Sequence, residues 1–265
     1  MAEFTGAIFG GYADLRGAAF GGNTNLAGAK FEGLADFKDA IFNENIDFGG
    51  AEFNGHAQFD RAIFNRDANF DLARIKGNAG FCEAIFKKDA SFTRAIFSGD
   101  ARFSRIDINE DVSFGKTTFS GYADFNGAIL NGHALFIGAK FEAYADFRGV
   151  IFGKYAVFSG YPLYGLGGDA RFSDHAIFEA ASFEVNADFG KATFNNYADF
   201  RGVNFVGPAD FISATFRGDS AFKGSSFFGE ARFRGARLVG DILTFRDANF
   251  QERRSQEDAC RRAKI

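Results

Sequence analysis

The stretch ADFKDAIFNENIDFGGAEFNGHAQFDRAIF, residues 35–64, places phenylalanine at a step that alternates between five and six residues. The same step runs from Phe4 to Phe250, apart from one insertion and one single-residue slip, and marks 44 positions. Phenylalanine fills 38 of these positions, and alanine stands two residues earlier in 34 cases. The chain is therefore a tandem repeat with an eleven-residue unit, A-x-F-x-x-A-x-F-x-x-x.

This unit does not fit an α-helix. At about 100° per residue, steps of five and six would scatter the phenylalanines around a helix. Each glycine inside a helix would also cost roughly 1 kcal/mol, and the chain contains 33 glycines. In an extended strand, the alanine and the phenylalanine of A-x-F point the same way, and the residue between them points the opposite way. Each A-x-F is therefore predicted to be a short strand with alanine and phenylalanine inside, followed by a corner.

The triplet resembles the pentapeptide-repeat family, whose motif is A-(D/N)-(L/F)-x-x. Six copies carry it unchanged: Ala35-Asp36-Phe37, Ala123-Asp124-Phe125, Ala145-Asp146-Phe147, Ala187-Asp188-Phe189, Ala198-Asp199-Phe200 and Ala209-Asp210-Phe211. The resemblance implies an all-β fold for residues 1–250, a right-handed quadrilateral β-solenoid with one unit per side. Every second corner has one residue more than the family's five, so each coil is expected to hold 22 residues, with about eleven coils in total. Phe37, Phe59 and Phe81 are then expected to stack.

Two segments depart from the repeat. Residues 159–169 are predicted to leave the solenoid as a loop, and loops on rigid scaffolds often carry recognition. Tyr161 and Tyr164 are its candidate binding residues, and a tolerated bulge is the alternative. The tail QERRSQEDACRRAKI, residues 251–265, is predicted to form a short C-terminal helix from about Ser255, which would cover the edge of the last coil. The helix has no C-cap signal, and we expect it to be truncated.

Charge and composition exclude several classes of function. The formal net charge is −4, from 34 acidic and 30 basic residues, so we expect no direct contact with nucleic acid. No apolar run is long enough to cross a bilayer, and we expect no membrane contact by this segment. The two cysteines, Cys82 and Cys260, fit neither a disulfide framework nor a zinc finger. This cysteine usage favours a cytoplasmic protein, and we expect no metal and no other cofactor.

Residues that could carry chemistry stand at corners of the repeat. The three histidines each precede the alanine of a six-residue step: His56, His133 and His175. Three aspartates at the same place are expected to stack on one corner: Asp67, Asp89 and Asp111. Arg66 and Lys88 stand beside the first two and favour ordinary ion pairing, with a cation site as the alternative. No catalytic constellation emerges, and the sequence predicts a protein that is not an enzyme.

One side of the predicted solenoid should be apolar on its outer surface. Its outward residues form a ribbon: Ile41, Ile63, Ile85, Ile129 and Ile151. Asp107 interrupts the ribbon once. Isoleucine suits any strand, and scattered exposed apolar side chains are normal. These five are collinear, however, and a contiguous exposed patch usually marks an interface. We therefore expect this side to bind a protein partner, or a second copy of the chain as a homodimer.

The leading functional hypothesis is a non-enzymatic rigid scaffold for protein–protein interaction. The pentapeptide-repeat family also includes gyrase-binding rods with acidic surfaces, so a DNA-mimic inhibitor of a type II topoisomerase is an alternative. One side carries a row of aspartates that would favour it, but Gln58, Gly80 and Arg102 interrupt that row. A third hypothesis, suggested by the tail, is a soluble regulatory domain of a larger, membrane-attached protein.

Overall fold

A computed structural model describes residues 1–160 and 167–251. These residues form 44 strands of two residues each, arranged in four parallel sheets of eleven strands. The chain visits the four sheets in turn, and we number them I to IV in that order. The all-β solenoid expected from the phenylalanine step is confirmed. The predicted C-terminal helix lies outside the described residues.

The four sheets run the length of the solenoid. The strands of sheet I are Ala2–Glu3, Thr24–Asn25, Ile46–Asp47, Ala68–Asn69, Ala90–Ser91, Val112–Ser113, Ala134–Leu135, Ala156–Val157, Ala187–Asp188, Ala209–Asp210 and Ala231–Arg232. Those of sheet II are Ile8–Phe9, Lys30–Phe31, Glu52–Phe53, Arg74–Ile75, Ile96–Phe97, Thr118–Phe119, Lys140–Phe141, Arg171–Phe172, Thr193–Phe194, Thr215–Phe216 and Arg237–Leu238. Those of sheet III are Ala13–Asp14, Ala35–Asp36, Ala57–Gln58, Ala79–Gly80, Ala101–Arg102, Ala123–Asp124, Ala145–Asp146, Ala176–Ile177, Ala198–Asp199, Ser220–Ala221 and Leu243–Thr244. Those of sheet IV are Ala19–Phe20, Ile41–Phe42, Ile63–Phe64, Ile85–Phe86, Asp107–Ile108, Ile129–Leu130, Ile151–Phe152, Ser182–Phe183, Asn204–Phe205, Ser226–Phe227 and Asn249–Phe250.

Strand pairing follows the expected register. Ile63 pairs with Ile85, 22 residues on, and this spacing holds through most of the chain. It lengthens where Lys140 pairs with Arg171 across the inserted segment, and by one residue near the end of the solenoid, where Ser220 pairs with Leu243. The residues on either side of that insertion are joined by a backbone hydrogen bond of 2.8 Å, which the Ala170 amide donates to the Phe158 carbonyl. The coil therefore continues in register on both sides of the insertion.

The interior is filled by ladders of phenylalanine rings. Phe59 stacks on Phe37 and on Phe81, with ring centroids 4.9 Å apart in each case. Phe48 of sheet I meets Phe37 and Phe59 of sheet III edge to face, at 5.4 and 5.3 Å. The ladders of sheets I and III thus interdigitate along the centre of the rod. Stacked and T-shaped ring pairs each stabilise by about 0.5–1.5 kcal/mol beyond the burial of their area, so the core gains from both arrangements.

The five-residue steps form narrow corners, from sheet I to II and from sheet III to IV. In all of them except the corner that carries the insertion, the second residue of the turn has positive φ, as at Gly6 with φ 64° and Arg61 with φ 57°. Among residues 1–160 and 167–251, eleven residues other than glycine adopt this conformation, although it costs them about 1–2 kcal/mol each. The stacking of adjacent coils therefore overrides the preference of the individual residue.

The six-residue steps form wide corners, from sheet II to III and from sheet IV to I. Glycines stack at the corner between sheets II and III, where a Cβ at Gly55 would lie 2.5 Å from the carbonyl oxygen of Gly33. The close approach of successive coils explains this glycine column.

Candidate interaction surfaces

The isoleucine ribbon, defined as Ile41, Ile63, Ile85, Ile129 and Ile151, runs along the outside of sheet IV. Its first three members pair in consecutive strands, as do its last two, with the strand of Asp107 between them. Ile129 is 37 % exposed and Ile151 is 40 % exposed, whereas the first three are half-buried. The last two follow turns that contain Gly127 and Gly149, which offer no side chain to cover them.

A row of alternating charges lies on the narrow corner that leads into the ribbon. We call it the first rim, and its members are Asp39, Arg61, Glu83 and Arg105. Arg61 donates two hydrogen bonds to Asp39, at 2.7 and 2.8 Å. Arg105 donates to Glu83 at 2.7 and 3.0 Å. All four side chains remain about half exposed, so these pairs contribute little to stability and stay available to a partner.

A second row of charges lies on the wide corner that leaves the ribbon. This second rim consists of Glu44, Arg66, Lys88 and Glu110. Arg66 lies 4.0 Å from Glu44, and Lys88 lies 3.6 Å from Glu110. The ribbon is therefore an apolar strip with a charged row on either side. An apolar centre with a polar rim is the usual anatomy of a protein–protein interface.

The outer side of sheet III departs from the prediction that residues between the alanine and the phenylalanine would be exposed. Asp36, Asp146 and Asp199 have exposures of 6, 0 and 1 %. Arg148 holds Asp146 at 2.5 Å, and the Tyr122 hydroxyl donates to it at 3.1 Å. A tyrosine on the wide corner and an arginine on the following narrow corner thus cover a carboxylate that points outward.

The wide corner between sheets II and III carries a column of aromatic rings beside these aspartates. Tyr122, Tyr144, His175 and Tyr197 follow one another with centroids 5.4 to 6.3 Å apart. Burial raises the pKa of the Tyr122 hydroxyl, and the charges of Asp124 and Asp146 raise it further. The hydroxyl therefore stays protonated and acts as a hydrogen-bond donor to the buried carboxylate.

Asp124 and Asp14 allow a test of these electrostatics, because the pKa of Asp124 is raised and the pKa of Asp14 is lowered. Burial raises the pKa of Asp124, and the charge of Asp146 adds to the effect; ionised Asp124 therefore opposes folding at neutral pH. Asp124→Asn is expected to raise the melting temperature at pH 7, with the gain disappearing as the pH falls and the parent carboxyl becomes protonated.

Asp14→Asn is the matched control on the same sheet. Hydrogen bonds from Arg16 lower the pKa of Asp14 to about 2, so its charge favours folding above the pKa of the unfolded chain. This variant should lower the melting temperature at pH 7, and the loss should shrink as the pH falls toward 2. Thermal melts of both variants between pH 7 and pH 2 measure the two effects. A pH-independent difference for Asp124→Asn would contradict this interpretation.

The structure separates the corner residues that the sequence grouped. His56 and His175 lie on the corner between sheets II and III, whereas His133 lies on the corner between sheets IV and I. Asp89 accepts a hydrogen bond from the Asp111 amide, and Asp111 accepts one from the His133 amide. The expected pairing of these aspartates with the neighbouring cations is wrong, because Arg66 and Lys88 pair with Glu44 and Glu110 instead. Within residues 1–160 and 167–251, no three His, Cys, Asp or Glu side chains are grouped to hold a metal ion.

The candidate binding loop can be followed only at its roots. Tyr161 and Tyr164 lie outside the described residues. The roots border a groove of about 310 Å³ that is lined by Ser159, Asp169, Asp188, Lys191 and Asp210, among others. Burial and the neighbouring charge of Asp188 raise the pKa of Asp210. This groove is a surface feature beside the loop and remains separate from the isoleucine ribbon on sheet IV.

Comparison with known families agrees with the coil geometry. The family model described as Pentapeptide repeats (9 copies) matches residues 16–63, 48–96, 92–139, 114–160 and 200–249. The chain belongs to the pentapeptide repeat family. Comparison with curated proteins finds no match. The pentapeptide repeats of this chain form a structural scaffold, and the described part of it contains no helix long and apolar enough to span a membrane.

Proposed function

We propose that this pentapeptide repeat protein is a non-enzymatic scaffold that binds a protein partner, or a second copy of itself, through the isoleucine ribbon and its two rims. The observation that carries the proposal is the contrast between sheets IV and II. Sheet IV presents five collinear isoleucines between two charged rows. The outward positions of sheet II are mostly Lys, Arg, Glu and Thr, with Ile8 and Ile96 as its isoleucines.

The chemistry of the surface favours a protein over a nucleic acid. Both rims carry both signs of charge, so neither forms the continuous basic row that binds phosphates. An apolar strip between two rows of mixed charge instead fits a surface of similar character. We do not propose mimicry of DNA, because the carboxylates of Asp146 and Asp199 on sheet III are buried and paired with Arg148 and Arg201.

The ribbon should lose its binding when two isoleucines become charged. Ile63→Lys/Ile85→Lys is expected to fold as the parent does, because both side chains point away from the core, and to lose its partners. The matched control is Ile8→Lys/Ile96→Lys, which makes the same change on sheet II. The measurements are the proteins retained by each immobilised variant and the self-association of each by sedimentation velocity. If Ile63→Lys/Ile85→Lys retains the same proteins as the parent and self-associates to the same extent, the ribbon is not the interface.

A further inference from the structure

We propose that the isoleucine ribbon binds a second copy of this chain face to face and antiparallel, with the two-fold axis between Ile85 and Asp107. This inference rests on the proposed function and adds the partner, the orientation and the register. The ribbon occupies the second to seventh coils, so its midpoint falls between the strands of Ile85 and Asp107. A two-fold axis at that midpoint pairs the whole ribbon with itself.

The axis sets which residues face each other. The two-fold axis lies in the interface plane and runs across the rod. It therefore places each rim against the same rim of the second copy and reverses the order of the coils. Ile41 then lies opposite Ile151 of the second copy, and Ile63 lies opposite Ile129. Each isoleucine of the ribbon thus faces an isoleucine of the second copy, except Ile85, which faces Asp107.

The opposed charges of the two rims attract in this register. Glu83 faces Arg105 of the second copy on the first rim, and these residues already pair at 2.7 Å within one chain. Glu83 and Arg105 of both copies together would form a ring of four alternating charges. Lys88 and Glu110, 3.6 Å apart within one chain, would form a second ring on the second rim.

The outer coils add one attraction and no repulsion. Glu44 faces Lys154 of the second copy. The three remaining rim residues, Asp39, Arg61 and Arg66, each face a glycine of the second copy. Those glycines are Gly149, Gly127 and Gly132. A long charged side chain opposite a glycine has room to stay in solvent, so none of the three is forced into an unpaired buried state.

Neighbouring registers bring like charges together. Sliding the second copy by one coil in one direction sets Glu83 against Glu83 and Lys88 against Lys88. Sliding it in the other direction sets Arg105 against Arg105 and Asp107 against Asp107. Repulsion of this kind selects one register among several that bury similar apolar area.

A parallel arrangement is disfavoured for the same reason. It sets Asp39 against Glu44, Arg61 against Arg66 and Asp107 against Asp107, so the attraction of Glu83 to Lys88 and of Arg105 to Glu110 is offset by repulsion. The antiparallel interface covers about eight coils and would bury roughly 1,000 Å² in total, an area typical of weak complexes. We therefore expect a micromolar dissociation constant that rises with salt.

Two variants of opposite charge test the register. Glu83→Lys/Glu110→Lys makes both rings positive, and Lys88→Glu/Arg105→Glu makes both rings negative. Sedimentation velocity of the full chain at about 50 mM salt, where exposed charges are weakly screened, measures association, and circular dichroism checks folding. Each variant alone should dimerise at least tenfold more weakly than the parent. An equimolar mixture, with one variant fluorescently labelled, should recover parental affinity. A mixture that stays monomeric would overturn the proposal.

Asp107→Ile provides an independent test of the same register. Asp107 interrupts the ribbon and faces Ile85 of the second copy, so this change should tighten the dimer about tenfold. An unchanged or weaker dimer would exclude the two-fold axis proposed here. A parent that is monomeric at every concentration would overturn self-association alone. The proposed function would survive that result if the parent retained a different protein as its partner and Ile63→Lys/Ile85→Lys did not retain it.

Discussion

Phe59→Ala is expected to lower the free energy of unfolding by about 3–5 kcal/mol. The Phe59 side chain is 1 % exposed, stacks on two rings and meets three others edge to face. Its removal would leave a cavity that neighbouring coils cannot fill, because hydrogen bonds along all four sheets fix their spacing. Urea denaturation followed by circular dichroism measures the change.

Gln58→Ala is the matched control for this variant, since Gln58 is the neighbouring residue and points out of the same strand. It should change the stability by no more than about 0.5 kcal/mol. In a solenoid each coil contacts only its neighbours, so Phe59→Ala should also broaden or split the transition by loosening the adjacent coils first. A loss below about 1 kcal/mol for Phe59→Ala would contradict a closed aromatic core.

Arg148→Ala is expected to lower the free energy of unfolding by about 2–3 kcal/mol. Breaking a buried ion pair typically costs 3–5 kcal/mol, because one charge is left without compensation. The cost should be smaller here, since Arg148 is itself about half exposed and water can partly replace it. The Asp146 side chain is fully buried, and it would keep only the bonds from the Tyr122 hydroxyl and the Arg148 backbone amide.

Arg16→Ala provides the comparison, because Arg16 pairs with Asp14 on the same sheet at the same spacing in sequence. Both of those side chains are exposed, so this variant should lose much less stability than Arg148→Ala. Equal losses for the two arginine variants, measured by urea denaturation at pH 7, would show that the burial of Asp146 has no energetic consequence.

Much of the fold could be predicted from the sequence, because the phenylalanine step fixes both the direction of each side chain and the length of a coil. The stack of Phe37, Phe59 and Phe81 follows from their 22-residue spacing alone. The single-residue slip before Phe245 is also visible in the sequence, and the pairing of Ser220 with Leu243 reproduces it.

Burial on the outside of sheet III could not be predicted from that step. The exposure of Asp146 depends on Tyr122, 24 residues earlier, and on Arg148, two residues later. A tyrosine at a wide corner followed by Asp-x-Arg in the next coil is the sequence signal that would have found it. The positive φ values at residues such as Arg61 and Leu72 were likewise hidden, because the stacking of coils imposes them against residue preference.

The isoleucine ribbon was predicted from the sequence, but its two rims were not. Their residues stand at the same 22-residue spacing as the ribbon, and their charges are visible in the sequence. What the sequence alone did not provide was the pairing within each rim, such as Arg105 with Glu83 on the first rim and Lys88 with Glu110 on the second.

The central claim is that the isoleucine ribbon is an interface between two copies of this chain. Methyl NMR of a sample labelled at isoleucine δ1 methyl groups tests it most directly, by dilution from millimolar to micromolar concentration. We predict that the resonances of Ile63 and Ile129 shift together on dilution, whereas those of Ile8 and Ile96 on sheet II stay constant. Ribbon resonances that do not change over this range, or that change no more than those of sheet II, would contradict the claim.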